Sequence, residues 1–188
     1  MFASNRLSYR KLSRTDFGFY CQLFSDQEVM KYTYLEAFSS KEEARYAFEK
    51  ALVIQEDENQ GTQYIAALKG RETAIGIIDY EVLIENNLGG IYEIGYFIQK
   101  AYWGKGYATE MGKALIDFLF NNKNIHKVVA SCHANNQHSE AIMKKLGMSQ
   151  EGVFKLARYK KGSWVDEIKY GLLRQDWSEG QYKINCRK

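Results

Sequence analysis

The segment that most restricts the fold is Trp103-Gly104-Lys105-Gly106, set between an apolar run over residues 91–99 and a stretch of helical periodicity that begins at Tyr107. Tyr107, Ala108, Met111, Ala114, Leu115, Phe118 and Leu119 make one broad apolar stripe, as a helix packed on a core requires. A strand that passes through Gly-x-Gly directly into a helix leaves the first N–H groups of that helix unpaired and aimed at the loop, which favours an anion there. Gly104 and Gly106 remove side chains where a phosphate would approach the backbone, while Lys105 and the Thr109 hydroxyl add charge and a donor. Taken alone, the two glycines fit a ligand-free tight turn equally well. Two other phosphate motifs are absent: no Gly-x-x-x-x-Gly-Lys-[Ser/Thr] string occurs, and the dinucleotide fingerprint would need a glycine where Thr109 stands.

Before the loop, residues 6–11 suit a strand, and Thr15 is placed to cap a helix carrying Phe17, Tyr20, Cys21 and Phe24. Ser40-Lys41-Glu42-Glu43 reads as a capping box for a second helix, with Ala44, Ala47, Phe48, Ala51 and Leu52 on one face and an end near residues 55–58. The period then changes to that of strands over residues 63–69, 73–84 and 91–99, which predicts an antiparallel trio. After the loop helix come a buried strand, Lys127–Cys132, and a fourth helix from about Asn136 that Gly147 ends, with Met148 placed for a Schellman contact. Strands over about 152–160 and 164–173 follow, joined by Lys161-Gly162-Ser163. The tail 175–188 carries Trp177 and is expected to lie loosely on the surface. This order predicts one α/β domain over residues 1–188, a mixed, mostly antiparallel sheet of about seven strands flanked by about four helices.

Several function classes fall away on composition. A formal charge of +3 over 188 residues is too weak and too scattered for a nucleic-acid surface, so no nucleic-acid partner is expected. No stretch approaches the roughly 20 apolar residues of a membrane span. Met1-Phe2-Ala3-Ser4-Asn5-Arg6 lacks the basic and apolar blocks of a secretory signal, Arg and Lys recur soon afterwards, and Cys21, Cys132 and Cys186 are an odd, scattered set, so a cytoplasmic protein with reduced thiols and no metal is expected. Fourteen tyrosines and ten phenylalanines supply material for a homodimer interface.

A longer string decides what the loop holds. Ile94-Gly95-Tyr96-Phe97-Ile98-Gln99, then Tyr102-Trp103-Gly104-Lys105-Gly106-Tyr107-Ala108-Thr109-Glu110, resembles the acetyl-CoA motif of the GNAT family of N-acetyltransferases, in the variant of its RimJ/RimL-type branch. Asn136-Gln137-His138-Ser139, Met143-Lys144-Lys145-Leu146-Gly147-Met148, Glu151-Gly152 and Trp164-Val165-Asp166 continue the likeness, as do Arg6-Leu7, Arg10, Asp16 and the stretch from Asp26 to Met30. The resemblance thus covers nearly the whole chain, with a core for acetyl-CoA over about 91–150. It implies that Trp103, Gly104, Lys105, Gly106, Tyr107, Ala108 and Thr109 hold the pyrophosphate. It also implies that the strand before the loop splays from its neighbour, that its backbone at Phe97, Ile98 and Gln99 binds the pantetheine arm and thioester, and that Asn136 contacts CoA. One position departs from the family pattern: Ala101 stands where Gln or Arg is usual, which removes a side-chain contact but leaves the backbone cradle.

Acetyl transfer to an amine needs a neutral amine, a polarised carbonyl and a protonated thiolate leaving group. Strand alternation puts Glu93, Gly95 and Phe97 on one face, where Gly95 would clear room for substrate beside a Glu93 carboxylate acting as base; Glu81 is a second candidate. The tyrosine that many family members use to protonate the thiolate is replaced by Met143, so the resemblance points instead to Ser139, one helical turn earlier, as the acid, either donating to the thiolate directly or through a water. As a helix hydroxyl Ser139 could equally cap its own backbone, and Asn136 could be an N-cap as well as a CoA contact. His126 and His138 have no partner carboxylate at a defined spacing and read as surface or packing residues, and Cys132, inside a hydrophobic strand, reads as buried rather than nucleophilic. The acceptor implied is the N-terminal α-amine of a protein of the ribosomal kind. Alternatives are a polyamine or aminoglycoside, or a non-catalytic role as an acyl-CoA sensor. Gly104→Val is expected to weaken CoA binding by excluding the phosphate, measurable by calorimetry; unchanged affinity would contradict the loop assignment.

Overall fold

The strand-forming runs assemble into a seven-stranded sheet of order β1-β2-β3-β4-β5-β7-β6. The computed structural model describes residues 2–57 and 59–178. The strands are β1 (Leu7–Lys11), β2 (Gly61–Leu68), β3 (Thr73–Ile84), β4 (Gly90–Ile98), β5 (Ile125–His133), β6 (Ser149–Lys160) and β7 (Ser163–Leu173), and the helices are α1 (Phe17–Ser25), α2 (Lys41–Ile54), α3 (Tyr107–Asn122), α4 (Gln137–Lys145) and α5 (Arg174–Ser178). Every neighbouring pair is antiparallel except β4 and β5.

Each face of the sheet carries its own core, because successive strand residues point to opposite sides. On one face Ile78, Tyr92 and Ile94 pack against Met111, Leu115 and Leu119 of α3, Met143 of α4 and Leu146 just after it. On the other, Ile65 and Ile77 meet Tyr20, Leu23 and Phe24 of α1 and Phe48 and Leu52 of α2. Gly112 lets α3 and α4 approach closely: a Cβ there would come within 2.6 Å of Leu146 Cδ1.

The helix ends show local rules at work, with some shifts from expectation. Thr15 does not cap α1. Ser13 instead opens a 3-10 turn over Arg14–Asp16, its N–H and hydroxyl each 2.8 Å from Asp16 Oδ2, because Arg10 holds that carboxylate in place from β1. Ser40 caps α2 by accepting from Glu43 N–H at 3.1 Å, while the Glu43 carboxylate turns to the N–H and hydroxyl of Ser39. At the end of α4 the Schellman pair forms: Met148 N–H donates to Met143 C=O and Gly147 N–H to Lys144 C=O, both at 3.1 Å. The β6–β7 turn is tighter than expected, two residues rather than three, with Lys161 and Gly162 both at positive φ.

The described start of the tail, residues 175–178, is more ordered than expected. Residues 174–178 form α5 instead of lying loose: Trp177 packs on Phe120 and donates to Asp117 at 2.8 Å. Arg174 satisfies three carbonyls around the end of α3, those of Phe120, Lys123 and Ile125. Residues 179–188, Cys186 among them, lie outside the described residues, as does Glu58. Among the described residues no helix is long and apolar enough to cross a membrane.

What positions the site is a break in the middle of the sheet. The parallel ladder between β4 and β5 runs only from Gly90 and Ile125 to Glu93 and Val129. Beyond that point β4 stays paired to β3 as far as Ile98, and β5 stays paired to β7 as far as His133. Each half is therefore held by its outer neighbour while the two inner edges part.

Candidate active site

The glycine loop follows β4 through a short 3-10 turn, Lys100–Tyr102. Gly104 and Gly106 both sit in the left-handed region, at φ 72° and 77°, where a side chain is strained. The first intrahelical bond of α3 is Glu110 N–H to Gly106 C=O, so the N–H groups of Tyr107, Ala108 and Thr109 have no partner within the helix. A brace from Arg6, the residue before β1, fixes the loop. Arg6 donates from its backbone and its Nε to the two oxygens of Glu110 at 2.7 and 2.6 Å, reaches Lys105 C=O at 3.0 Å, and lays its guanidinium over the Tyr107 ring. Burial would raise the Glu110 pKa, but the Arg6 N–H, the Ser4 hydroxyl and the Arg6 charge outweigh it, so Glu110 is held ionised. The Lys105 ammonium folds back on Ala101 C=O at 2.9 Å, the position where the family pattern usually has a longer polar side chain.

The three backbone positions expected at the thioester are not equivalent. Gln99 N–H donates to Ile75 C=O at 2.9 Å. In an antiparallel pair the bonding groups alternate in direction, so Phe97, opposite Ile77, also turns its N–H and C=O toward β3. The groups facing the open edge are those of Tyr96 and Ile98, and the Ile98 C=O takes the Trp103 indole N–H at 2.7 Å. Of the three positions, Ile98 alone turns its backbone groups to the open edge, as Tyr96 does two residues before it, while those of Phe97 and Gln99 face β3.

Across the gap stands α4. Asn136 caps it, its Oδ1 accepting from Ser139 N–H at 3.1 Å, so Ser139 is held in the first turn by its backbone rather than by its own hydroxyl. That hydroxyl lies 2.7 Å from the Tyr96 phenol, which is also 3.2 Å from Ser139 C=O. Burial drives the Tyr96 phenol well above its ordinary pKa, so it keeps its proton. Met143 is fully buried in the core beneath. A phenol thus does reach this end of the cleft, from β4 rather than from α4, and only the register of the two elements reveals it.

On the opposite face of the sheet Glu93 ends the shared ladder, and Ser131 of β5 donates to its Oε1 at 2.7 Å. Gly95 does clear space, although for Asp79 rather than for substrate: a Cβ at Gly95 would come within 2.4 Å of Asp79 Oδ1. Asp79 and Gly95 are cross-strand partners, as are Glu81 and Glu93, which sets three carboxylates on one patch. Burial first, with the Gly95 amide opposing it and the Glu81 and Glu93 charges adding to it, pushes Asp79 up to about 7. Sequence reading missed Asp79, though a lone acid inside the apolar run Ala74–Tyr80 was a usable signal. Tyr34, from the α1–α2 segment, shares this region: its ring lies under the Arg158 guanidinium, which bonds the buried Glu167 at 3.2 Å. Of the remaining sequence candidates, Cys132 is buried and its thiol is pushed up to about 11 by burial, which fits its reading as an unreactive core residue.

Comparison with known proteins places the chain in a family. The family model described as Acetyltransferase (GNAT) domain matches residues 6–149. The uncharacterized N-acetyltransferase YnaD of Bacillus subtilis (strain 168) is 32% identical over 176 residues, which cover 93% of this chain and 98% of that protein. The ribosomal protein uS5-alanine N-acetyltransferase of Escherichia coli (strain K12) is 26% identical over 131 residues, 69% of this chain and 67% of that one. The crystal structure of spermidine N-acetyltransferase from Vibrio cholerae in complex with CoA and spermine superposes with a TM-score of 0.79 at 20% identity, covering 92% of this chain and 98% of that chain, a likeness of fold.

The Asp79 carboxyl should leave a mark on stability. Its folded pKa near 7 lies above the ordinary 3.8, so between those values the folded chain binds a proton that the unfolded chain has released. Stability from this group is therefore present at low pH and lost as pH rises toward and through 7. Denaturant midpoints of wild type and Asp79→Asn, compared from pH 5 to 8, should diverge progressively in favour of the Asn variant; parallel curves would contradict the assignment.

Proposed function

As the chain belongs to the GNAT family of N-acetyltransferases, we propose that its donor is acetyl-CoA and its acceptor a primary amine, namely the N-terminal α-amine of a protein. The observation that carries this reading is the placement of Glu93, anchored by Ser131 at the residue where β4 and β5 part. On one side of that gap lie the glycine loop and the open edge of β4, on the other the carboxylate patch.

In this reading the unpaired N–H groups from Tyr107 to Thr109 and the left-handed glycines receive the pyrophosphate of CoA, with Trp103 and Lys105 beside them. The pantetheine arm runs along the edge of β4 as an added strand would, using the Ile98 backbone, and Asn136 flanks it from α4. The amine gives a proton to Glu93, attacks the acetyl carbonyl, and the oxyanion is met by N–H groups of the β4 edge. When the carbon–sulfur bond breaks, Ser139 protonates the thiolate; water carries off the proton first taken by Glu93, and the second proton, lost by the nitrogen as the amide forms, returns through water to Ser139. The cytoplasm suits the two free thiols described, Cys21 and Cys132.

Acceptor ionisation favours the α-amine. An α-ammonium loses its proton near pH 8, whereas a lysine-like ammonium holds it to about 10.4, an added cost of roughly 3 kcal/mol at the same base. The E. coli relative that acts on an alanine of ribosomal protein uS5 supports the same choice. A second reading, a polyamine acceptor, rests on the paired carboxylates of Glu81 and Glu93, which would attract a polycation, and on the V. cholerae spermidine enzyme. Release of CoA thiol measured with free-N-terminus peptides, polyamines and aminoglycosides separates these readings. Glu93→Gln should lower turnover about 100-fold or more while leaving CoA affinity unchanged; undiminished turnover would remove Glu93 from the mechanism. Absence of turnover on every acceptor, with CoA still bound, would instead favour an acyl-CoA sensor.

A further inference from the structure

Tyr96 and Ser139 are separated by 43 positions in the chain, yet their hydroxyls meet at 2.7 Å in the space between β4 and α4. The phenol's ring is packed into the core shared by the sheet, α3 and α4, so its oxygen has little freedom to move away. Ser139 is fixed from two other directions, by Asn136 Oδ1 on its N–H and by the helix that follows. A serine hydroxyl left to itself in the first turn of a helix rotates among three staggered wells and often bonds local backbone. Here a second hydroxyl stands where it selects one of them.

We propose that Tyr96 is a positioning residue for Ser139: its phenol donates to Ser139 Oγ and thereby leaves the serine's own proton directed into the gap between β4 and β5, where a thioester sulfur would leave. This rests on the reading of Ser139 as the acid that protonates the thiolate. The alternative use of the phenol proton, toward Ser139 C=O at 3.2 Å, is longer and leaves the serine proton pointing back at Tyr96. Tyr96 is neither consumed nor ionised in the step. The serine O–H bond breaks as the sulfur–hydrogen bond forms, the phenol hydrogen bond steadies the negative charge that develops on Oγ, and water returns a proton to the serine. Burial suits the phenol to this part, since it donates a hydrogen bond while its high pKa keeps the proton on it.

The arrangement also accounts for the methionine at 143. A protein that brings a phenol to the leaving group from β4, through a serine, has no need of one from α4, and position 143 is free to serve the core, where it is fully buried.

The test is a double-mutant cycle read by steady-state kinetics. Tyr96→Phe keeps the ring in the core and removes only the oxygen. It should lower kcat about tenfold or more, leave the KM for acetyl-CoA within about twofold, and raise the solvent deuterium isotope effect on kcat as proton delivery to sulfur becomes slower. In a Ser139→Ala background the same change should cost nothing further, because Tyr96 acts through the serine; a purely structural role would instead add its full loss in either background. Thermal midpoints of the four proteins identify any variant that has lost its fold, and Tyr96→Trp, which keeps an aromatic ring and restores a donor, should recover part of kcat if donation matters. Wild-type kcat in Tyr96→Phe, or additive losses in the cycle, would overturn the proposal while leaving the acetyltransferase reading intact. Absence of turnover by the wild type on any amine would overturn that reading, and this one with it.

Discussion

The parting of β4 from β5 after Glu93 is the constraint on which the rest of the site depends. A sheet interrupted at its centre would ordinarily leave two rows of unpaired backbone groups, which is costly when buried. The chain limits that cost by pairing β4 fully with β3 on its outer side, and β5 likewise with β7, so that only the inner edges are open. The open edge of β4 is then a strand without a neighbour, suited to an extended, amide-bearing chain. Everything assigned a role lies along this opening: the glycine loop at its wide end, Ser139 and Tyr96 on one flank, Glu93 and Ser131 at its apex.

The loop could not do its part as a flexible tether. Arg6 ties β1 to both the first turn of α3 and the loop carbonyl of Lys105, so the helix N-terminus and the glycines are held as one unit against the sheet. That pre-organisation lowers the ordering cost on binding an anion. It also explains why the likeness to the family reaches back to Arg6, nearly a hundred positions before the loop it braces.

The order of elements was legible because it depends on local rules. The capping serine at 40, the Schellman glycine at 147 and the glycine pair at 104 and 106 each act within a few residues of themselves. Thr15 misled because the chain turns two residues earlier, at Ser13, whose N–H and hydroxyl meet an Asp16 carboxylate held by Arg10 of β1, and that arrangement is not written in the helical period. The start of the tail misled because Trp177 finds its partners, Phe120 and Asp117, on a distant helix. The same holds within the site. That Glu93 and Gly95 share a face follows from the strand period, whereas the presence of Asp79 over Gly95 and of Tyr96 against Ser139 follows only from which strand pairs with which, and in what register. The direction of the Gln99 N–H depends on register too, since alternation along one strand does not say which neighbour takes the odd residues.

The central claim is that the opening between β4 and β5 and the glycine loop at its end form one continuous CoA site. Residue-resolved amide hydrogen exchange, with and without saturating CoA, tests it most directly. The account predicts slowed exchange at Tyr107, Ala108, Thr109 and Ile98 together, with little change at Gln99, whose N–H is already bonded to Ile75. Saturation by CoA with the loop and Ile98 amides unprotected would contradict it.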